Sequence, residues 1–193
     1  MSITSWLAQI TALLEHSPAD RRLITIDGPC GSGKSTLAAA LAERLGCPIV
    51  HMDDYVIPHA RKTPERLAVP GGNADQERLL AEVILPWMAG EPACVRPYLC
   101  HEDCFGAASP LPDSAALILE GTYSGLPAIA RHAALRLFLT IGEQEQQRRL
   151  LGRVGPERLN AFNERWIPLE NAYFAAFGLP DADCHVLRQD TGL

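Results

Sequence analysis

Apolar and polar positions change their period several times along the chain. Near the N-terminus, Trp6, Leu7, Ile10, Leu13 and Leu14 recur at helical spacing between Met1 and Ser17. This predicts an amphipathic helix within residues 1–20, packed on the domain; a helix that pairs two copies of the chain is the alternative. Leu23 to Asp27 (LITID) is a short apolar run that stops at a glycine-rich turn, so it reads as a buried strand. Ser35 to Leu45 is rich in Ala and Leu and is followed by Gly46, a helix with a glycine stop. Pro48 to Met52 predicts a second strand ending at Asp53 and Asp54. Ile57 to Gly72 holds three prolines and two glycines and predicts a loop, long for a compact domain. Gln76 to Met88 sets Leu79, Leu80, Val83, Ile84 and Trp87 on one helical face. Val95 to Tyr98 predicts an edge strand, and a loop then runs to Asp113. The wholly apolar strand Ala115 to Leu119 is closed by Glu120 and Gly121, and Leu135 to Ile141 is another strand. Glu143 to Arg153 reads as a polar helix, Pro156 to Phe177 as one long helix or two, and Cys184 to Leu187 as a last strand.

Strands alternating with helices, most of them apolar on both faces, predict an α/β fold with a mostly parallel, five-stranded central sheet. The 193 residues suit one domain, 1–193. Apolar residues make up 47% and charged residues 21%, which excludes wholesale disorder. The 17 basic residues stand against 23 acids, a net charge of -6. That balance argues against a general nucleic-acid or anionic-membrane binder. No run of 18 apolar residues occurs, so no membrane-spanning helix is expected. The absence of Lys and Arg before Arg21 argues against a secretory signal. The six cysteines read as reduced thiols of a cytoplasmic protein, and Cys100, His101 and Cys104 lack the second pair that a zinc site needs.

Gly28-Pro29-Cys30-Gly31-Ser32-Gly33-Lys34-Ser35 matches G-x-x-x-x-G-K-S/T. With only two lysines in the chain, a chance match has odds of roughly one in a thousand. The segment follows an apolar strand and opens a helix, as this phosphate-binding motif requires. Gly28, Gly31 and Gly33 permit close backbone approach, and successive amides then form an anion nest at a helix N-terminus. Lys34 is placed to reach the β- and γ-phosphates of a nucleotide, and the Ser35 hydroxyl to ligate Mg²⁺. Thr36 either packs or touches the α-phosphate. Cys30 reads as a small residue in a tight turn.

Asp53 and Asp54 sit at the predicted carboxyl end of a strand, where parallel sheets bind ligands. A carboxylate there can take the proton of an acceptor hydroxyl or orient it; otherwise the pair is solvated or caps a turn. Glu120, closing AALILE, fits a Mg²⁺-side or substrate-facing carboxylate. Asp75 precedes a helix and reads locally as its N-cap. His51 and His59 carry no assigned role. Residues 131–165 hold seven arginines against four glutamates, so this segment is +3 and the rest of the chain -9. Arg149 and Arg153 share a helical face. Such a pair can close over a triphosphate as a lid at about 143–160, because the guanidinium fork grips two phosphate oxygens at once. Gln144, Gln146 and Gln147 support the plainer reading of a solvated helix.

IDGPCGSGKST, HMDDYVIP, GGNADQERL, LILEGTY and RRLLGR, in that order, resemble the uridine kinase-like P-loop kinases. That group also includes nicotinamide riboside kinases and phosphoribulokinases, and the similarity spans residues 22–187. The resemblance implies a P-loop NTPase fold with an arginine-bearing lid and the cofactors ATP and Mg²⁺. It implies Asp53 as catalytic base, Asp75 as a ligand of substrate hydroxyls, Glu120 as the acid before Gly, and Arg148, Arg149 and Arg153 as lid arginines. Uridine-phosphorylating members carry Tyr-Asp with a downstream His; here Leu99 stands after Tyr98 and His101 has another spacing. Tyr98 keeps a pocket-lining expectation, and base recognition does not carry over. The expected activity is transfer of the ATP γ-phosphoryl to a hydroxyl of a nucleoside or similar small metabolite. A regulatory ATPase or switch is one alternative, although no Asn-Lys-x-Asp guanine motif occurs. A nucleoside monophosphate kinase is another, with Arg61, Lys62, Arg66 and Arg78 available to an acceptor phosphate.

Overall fold

A computed structural model describes residues 2–15 and 19–188. Met1, His16 and Ser17, which the predicted N-terminal helix included, lie outside the described residues. Helix α1 (Ile3–Glu15) buries Trp6, Ile10 and Leu14. They pack on Leu37 and Leu41 of α2 (Lys34–Leu45) and on Ile24, Ile26, Ile118, Leu137 and Leu139 from the sheet. Of the face picked out by periodicity, these three are buried within their own chain, whereas Leu7 is half-buried and Leu13 is exposed. Each fully buried aliphatic side chain stabilises the fold by about 1.5–3 kcal/mol.

Strands β1 (Arg22–Asp27), β2 (Ile49–His51), β7 (Ala116–Glu120), β8 (Ala133–Thr140) and β9 (Cys184–Arg188) form one sheet. Its order is β2-β7-β1-β8-β9, and all pairings are parallel. Alternate residues face opposite sides. Leu23, Val50, Leu117, Leu119 and Phe138 pack on the second face with Tyr55, Trp87 and Tyr173. Parallel strands place their carboxyl ends on one edge, so Asp27, His51 and Glu120 arrive together.

Departures from the predicted elements lie mainly between β2 and β7, with others after β7. The 57–72 segment is not a plain loop: it carries a 3-10 turn (His59–Arg61) and helix α3 (Pro64–Ala68). Thr63 Oγ1 accepts from the Arg66 amide and Pro64 occupies the first turn, signals that proline counting obscured. The helix from Gln76 is α4 (Gln76–Leu79), a π-turn (Leu80–Ile84) and α5 (Leu85–Ala89), which stops at Gly90 with φ 74°. The expected edge strand is two small antiparallel ribbons. One pairs β3 (Cys94–Val95) with β6 (Ser109–Pro110), and the other β4 (Tyr98–Leu99) with β5 (Cys104–Phe105). Helix α6 (Pro127–Ala130), too short for a period, went unpredicted. The C-terminal run is α7 (Glu143–Ala161), a π-turn (Phe162–Trp166) and α8 (Ile167–Phe177). Gly155 breaks α7 with φ 77° and ψ 170°, just before Pro156.

Candidate active site

From Asp27 the chain turns through Gly28–Gly33 into α2. Gly28 has φ 136°, and a Cβ there would lie 2.3 Å from the Leu139 carbonyl oxygen. Only glycine fits where the loop crosses β8. The Gly28 N–H donates to Asp27 Oδ1 (2.6 Å), the Cys30 N–H to Glu170 Oε2 (2.9 Å), and the Ser32 N–H to the Pro29 carbonyl (3.2 Å). Among the described residues, no protein acceptor meets the N–H of Gly31, Gly33, Lys34 or Ser35. Four amide donors at the start of a helix suit an anion. Lys34 is only 8% exposed, and its Nζ donates to the carbonyls of Gly28 (2.7 Å) and Pro29 (2.9 Å). Thr36 is exposed, which removes the packing role considered for it.

Register sets the acids beside this loop: Glu120 on β7 lies opposite Ile26 on β1 and His51 on β2. Ser35 Oγ donates to the Glu120 carboxylate, 3.2 and 3.3 Å from its two oxygens. The two residues predicted on the metal side are thus together. Their donors are hard oxygens, the type Mg²⁺ prefers. His51 has a partner that sequence reasoning missed: its Nδ1 lies 2.5 Å from Glu120 Oε1. That hydrogen bond holds the His51 pKa above its usual value, against burial. The signal was only its place at the end of β2, two residues before Asp53.

Asp53 and Asp54 share the 3-10 turn Met52–Asp54 directly after β2. Asp53 is exposed and its charge is felt at the Tyr123 hydroxyl. Asp54 is half-buried, and burial pushes its carboxyl up while His51 pulls it down. The two acids therefore meet different surroundings.

Beyond Glu120, a Cβ on Gly121 would sit 2.8 Å from the Met52 Cβ. Tyr123 adopts φ 80°, a strained backbone for a bulky side chain. Its ring lies 4.9 Å from that of Tyr173, and burial, then Glu170, pushes its hydroxyl up to about 12. Asp27, unassigned from sequence, is a buried junction. Besides the Gly28 amide it accepts from the Gly125 amide (2.8 Å) and the Tyr173 hydroxyl (2.7 Å), both on Oδ2. Burial raises its pKa, and these donors with Lys34 pull it back.

The first half of α7 lies on the phosphate loop. Gln146 is buried, which corrects the solvated reading for that glutamine while Gln144 is exposed, and its Nε2 donates to the Cys30 carbonyl (2.9 Å). Arg149 Nη1 donates to the Gly31 carbonyl (3.3 Å), and its Nε to Glu145 Oε1 (2.7 Å). Arg148 is exposed and bound to the same carboxylate, and the pair hold Glu145 down at about 2. Arg153 stacks 5.6 Å over the Phe162 ring. Of the three lid candidates, Arg149 alone has a hydrogen bond to the loop. The Cys30 thiol is pushed up to about 12 by burial and by Glu170, so it is a poor nucleophile.

Among the residues expected to face an acceptor, Asp75 is 1% exposed. It stands at the N-cap position of α4, yet its side chain does not cap the helix. Arg61 Nη1 (3.1 Å) and Arg78 Nε (3.3 Å) take its two oxygens instead. Arg78 also donates to the carbonyls of Asp54 (2.9 Å) and Arg96 (2.5 Å) and lies 4.2 Å over the Tyr55 ring. Arg66 holds Glu77 and the carbonyls of Gly72 and Ala74. Tyr98 is buried; its hydroxyl donates to the Asp103 carboxylate and accepts from the His59 amide (3.0 Å). Asp75 and Tyr98 are therefore both bound within the protein.

No protein-family model matches the chain, and no curated protein matches it in sequence. Solved structures do. One is named as a possible uridine kinase from Bacillus stearothermophilus, 19% identical, with a TM-score of 0.71 over 97% of this chain and 100% of that one. Another is named as a candidate fructose transport system kinase from Silicibacter sp. TM1040, 22% identical, with a TM-score of 0.66 over 97% and 99%. A third, from Saccharomyces cerevisiae, is named as a candidate P-loop containing kinase with a circular permutation, 13% identical, with a TM-score of 0.64 over 98% and 100%. This likeness over nearly the whole of each chain shows that the protein has the fold of the uridine kinase-like P-loop kinases.

Proposed function

We propose that the chain is an ATP- and Mg²⁺-dependent cytoplasmic kinase that phosphorylates a hydroxyl of a small metabolite, such as a nucleoside. The observation that carries this reading is the Ser35–Glu120 pair beside a buried Lys34 and four amides that have no protein acceptor among the described residues. In this reading the Gly28–Ser35 loop cradles the phosphates, and Lys34 turns from the loop carbonyls to the β- and γ-phosphates. Ser35 and Glu120 would hold Mg²⁺, directly or through water, which neutralises phosphate charge when bound. Asp53, the exposed member of the acid pair, takes the proton of the acceptor hydroxyl or orients it. Arg149, already against Gly31, offsets charge on the transferring group. Most of the rate enhancement is then positioning and electrostatics.

A nucleoside monophosphate acceptor is disfavoured because Arg66 and Arg78 are engaged by Glu77, Asp75 and backbone carbonyls. The test is a screen of ATP-dependent product formation across nucleosides, nucleotides, pantothenate-like alcohols and sugars. Phosphorylation of a neutral alcohol supports the reading. Hydrolysis of ATP with no acceptor phosphorylated would favour a regulatory ATPase.

A further inference from the structure

Glu170 carries no role in the sequence analysis, yet it touches the phosphate loop. It is 8% exposed, in the first turn of α8, 140 residues from its partner Cys30. Oε2 accepts the Cys30 N–H at 2.9 Å, and Oε1 lies 3.2 Å from Thr122 Oγ1. Thr122 Oγ1 is also 3.0 Å from the Gly28 carbonyl. Gln146 of α7 holds the opposite end of the same residue by donating to the Cys30 carbonyl. Cys30 is thus gripped at its N–H by one helix and at its carbonyl by another. Gly155 and the Phe162–Trp166 π-turn lie between the two grips.

The loop's donors divide accordingly. Pro29 has no N–H, so Cys30 carries the first amide after Gly28. Glu170 takes that amide, and among the described residues no backbone acceptor stands on the amides of Gly31, Gly33, Lys34 and Ser35. A buried carboxylate beside a triphosphate site repels the ligand it adjoins, so a packing residue would serve better as neutral. The acid makes sense as an acceptor of fixed reach: it turns one peptide away from the cradle and fixes the orientation of the next. We propose that Glu170 is a positioning residue of the donor site, presetting the Cys30 peptide so that the following amides converge on phosphate. This rests on the nucleotide-binding reading of the loop.

The experiment is calorimetric titration of wild-type, Glu170→Gln, Glu170→Asp and Glu170→Ala proteins with ADP in the absence of Mg²⁺, alongside thermal melts. Loss of the acceptor strands a buried N–H, so Ala weakens ADP binding roughly tenfold or more. Asp keeps the charge but lacks the reach, and it weakens binding as Ala does. Gln keeps an acceptor at the same reach and stays within about threefold of wild type. Asp and Gln keep the test decisive if Ala does not fold. Wild-type affinity in the Asp or Ala variant, or equal losses in Gln and Asp, overturns the assignment. Tighter binding by both Gln and Ala overturns it too, because the carboxylate would then be a competitor of phosphate. A wild-type protein that binds neither ADP nor ATP overturns the nucleotide reading itself.

Discussion

Replacing Asp27 with Asn exposes what holds the donor site in place. The carboxylate receives three donors: the Gly28 amide on Oδ1, and the Gly125 amide and Tyr173 hydroxyl on Oδ2. A Cβ on Gly125 would come within 2.8 Å of Oδ2, so the 121–125 turn is shaped around this acid. Asn offers one carbonyl and one NH₂. Its best orientation keeps the carbonyl on the Oδ2 side and sets NH₂ against the Gly28 N–H. One charge-assisted bond of about 1.5–3 kcal/mol is lost, and a buried donor is stranded at about 1–3 kcal/mol. Relief of burying a charge works the other way, since burial already raises the Asp27 pKa. The net expectation is a loss of about 2–3 kcal/mol. For a chain of this size that lowers Tm by roughly 5–10 °C. Tyr173→Phe removes one of two donors on Oδ2 and should cost less, about 1 kcal/mol. Melts at neutral pH, followed by circular dichroism, measure both. A Tm for Asp27→Asn within about 2 °C of wild type would refute the three-donor argument, as would a larger loss for Tyr173→Phe.

Lys34→Ala should remove most turnover by deleting charge-assisted bonds of about 1.5–3 kcal/mol each at the phosphates; near-wild-type kcat/KM in a coupled ADP-release assay would sink the cradle assignment. Asp53→Asn should lower kcat by ~10²–10⁴ while leaving ATP affinity alone, and a loss confined to ATP binding would move Asp53 to the metal side. Glu145 should titrate near about 2 in an NMR pH series, held there by Arg148 and Arg149. Its pKa is depressed, so the linked stability is present above the ordinary carboxyl range and is lost as pH falls through about 2. Arg148→Ala with Arg149→Ala should return that titration to the ordinary range, and an unchanged midpoint would contradict the paired geometry.

The site was legible where chemistry requires a residue type at a fixed spacing. The glycine–lysine–serine loop follows from that rule, and Glu120 follows because an acid closing an apolar strand must emerge at the ligand edge. The structure sets the Ser35 hydroxyl on the Glu120 carboxylate. What sequence could not show were contacts between distant segments. Asp27 stands in IDGPCGSGKST with no assigned role, Gln146 and Glu170 carry none either, and the three reach partners 98, 116 and 140 residues away. His51 was hidden for another reason: its importance depends on strand register, which places it opposite Glu120 across two strands adjacent in space. Asp75 misled because an acid before a helix usually caps it, whereas here two arginines reach the carboxylate first.

These omissions share a physical cause. A phosphate loop needs its own amides unpaired, so it cannot stabilise itself with them. Its ends must be held from outside, by groups that bind the remaining donors and carbonyls. Asp27 takes the Gly28 amide, Glu170 the Cys30 amide, Gln146 the Cys30 carbonyl and Arg149 the Gly31 carbonyl. The motif specifies the donors offered to a ligand, and the supporting contacts come from β1 and the two C-terminal helices. Gln146 and Arg149 of α7 and Glu170 of α8 thus brace the loop from outside. A change that unseats either helix should weaken nucleotide binding even when every motif residue is intact.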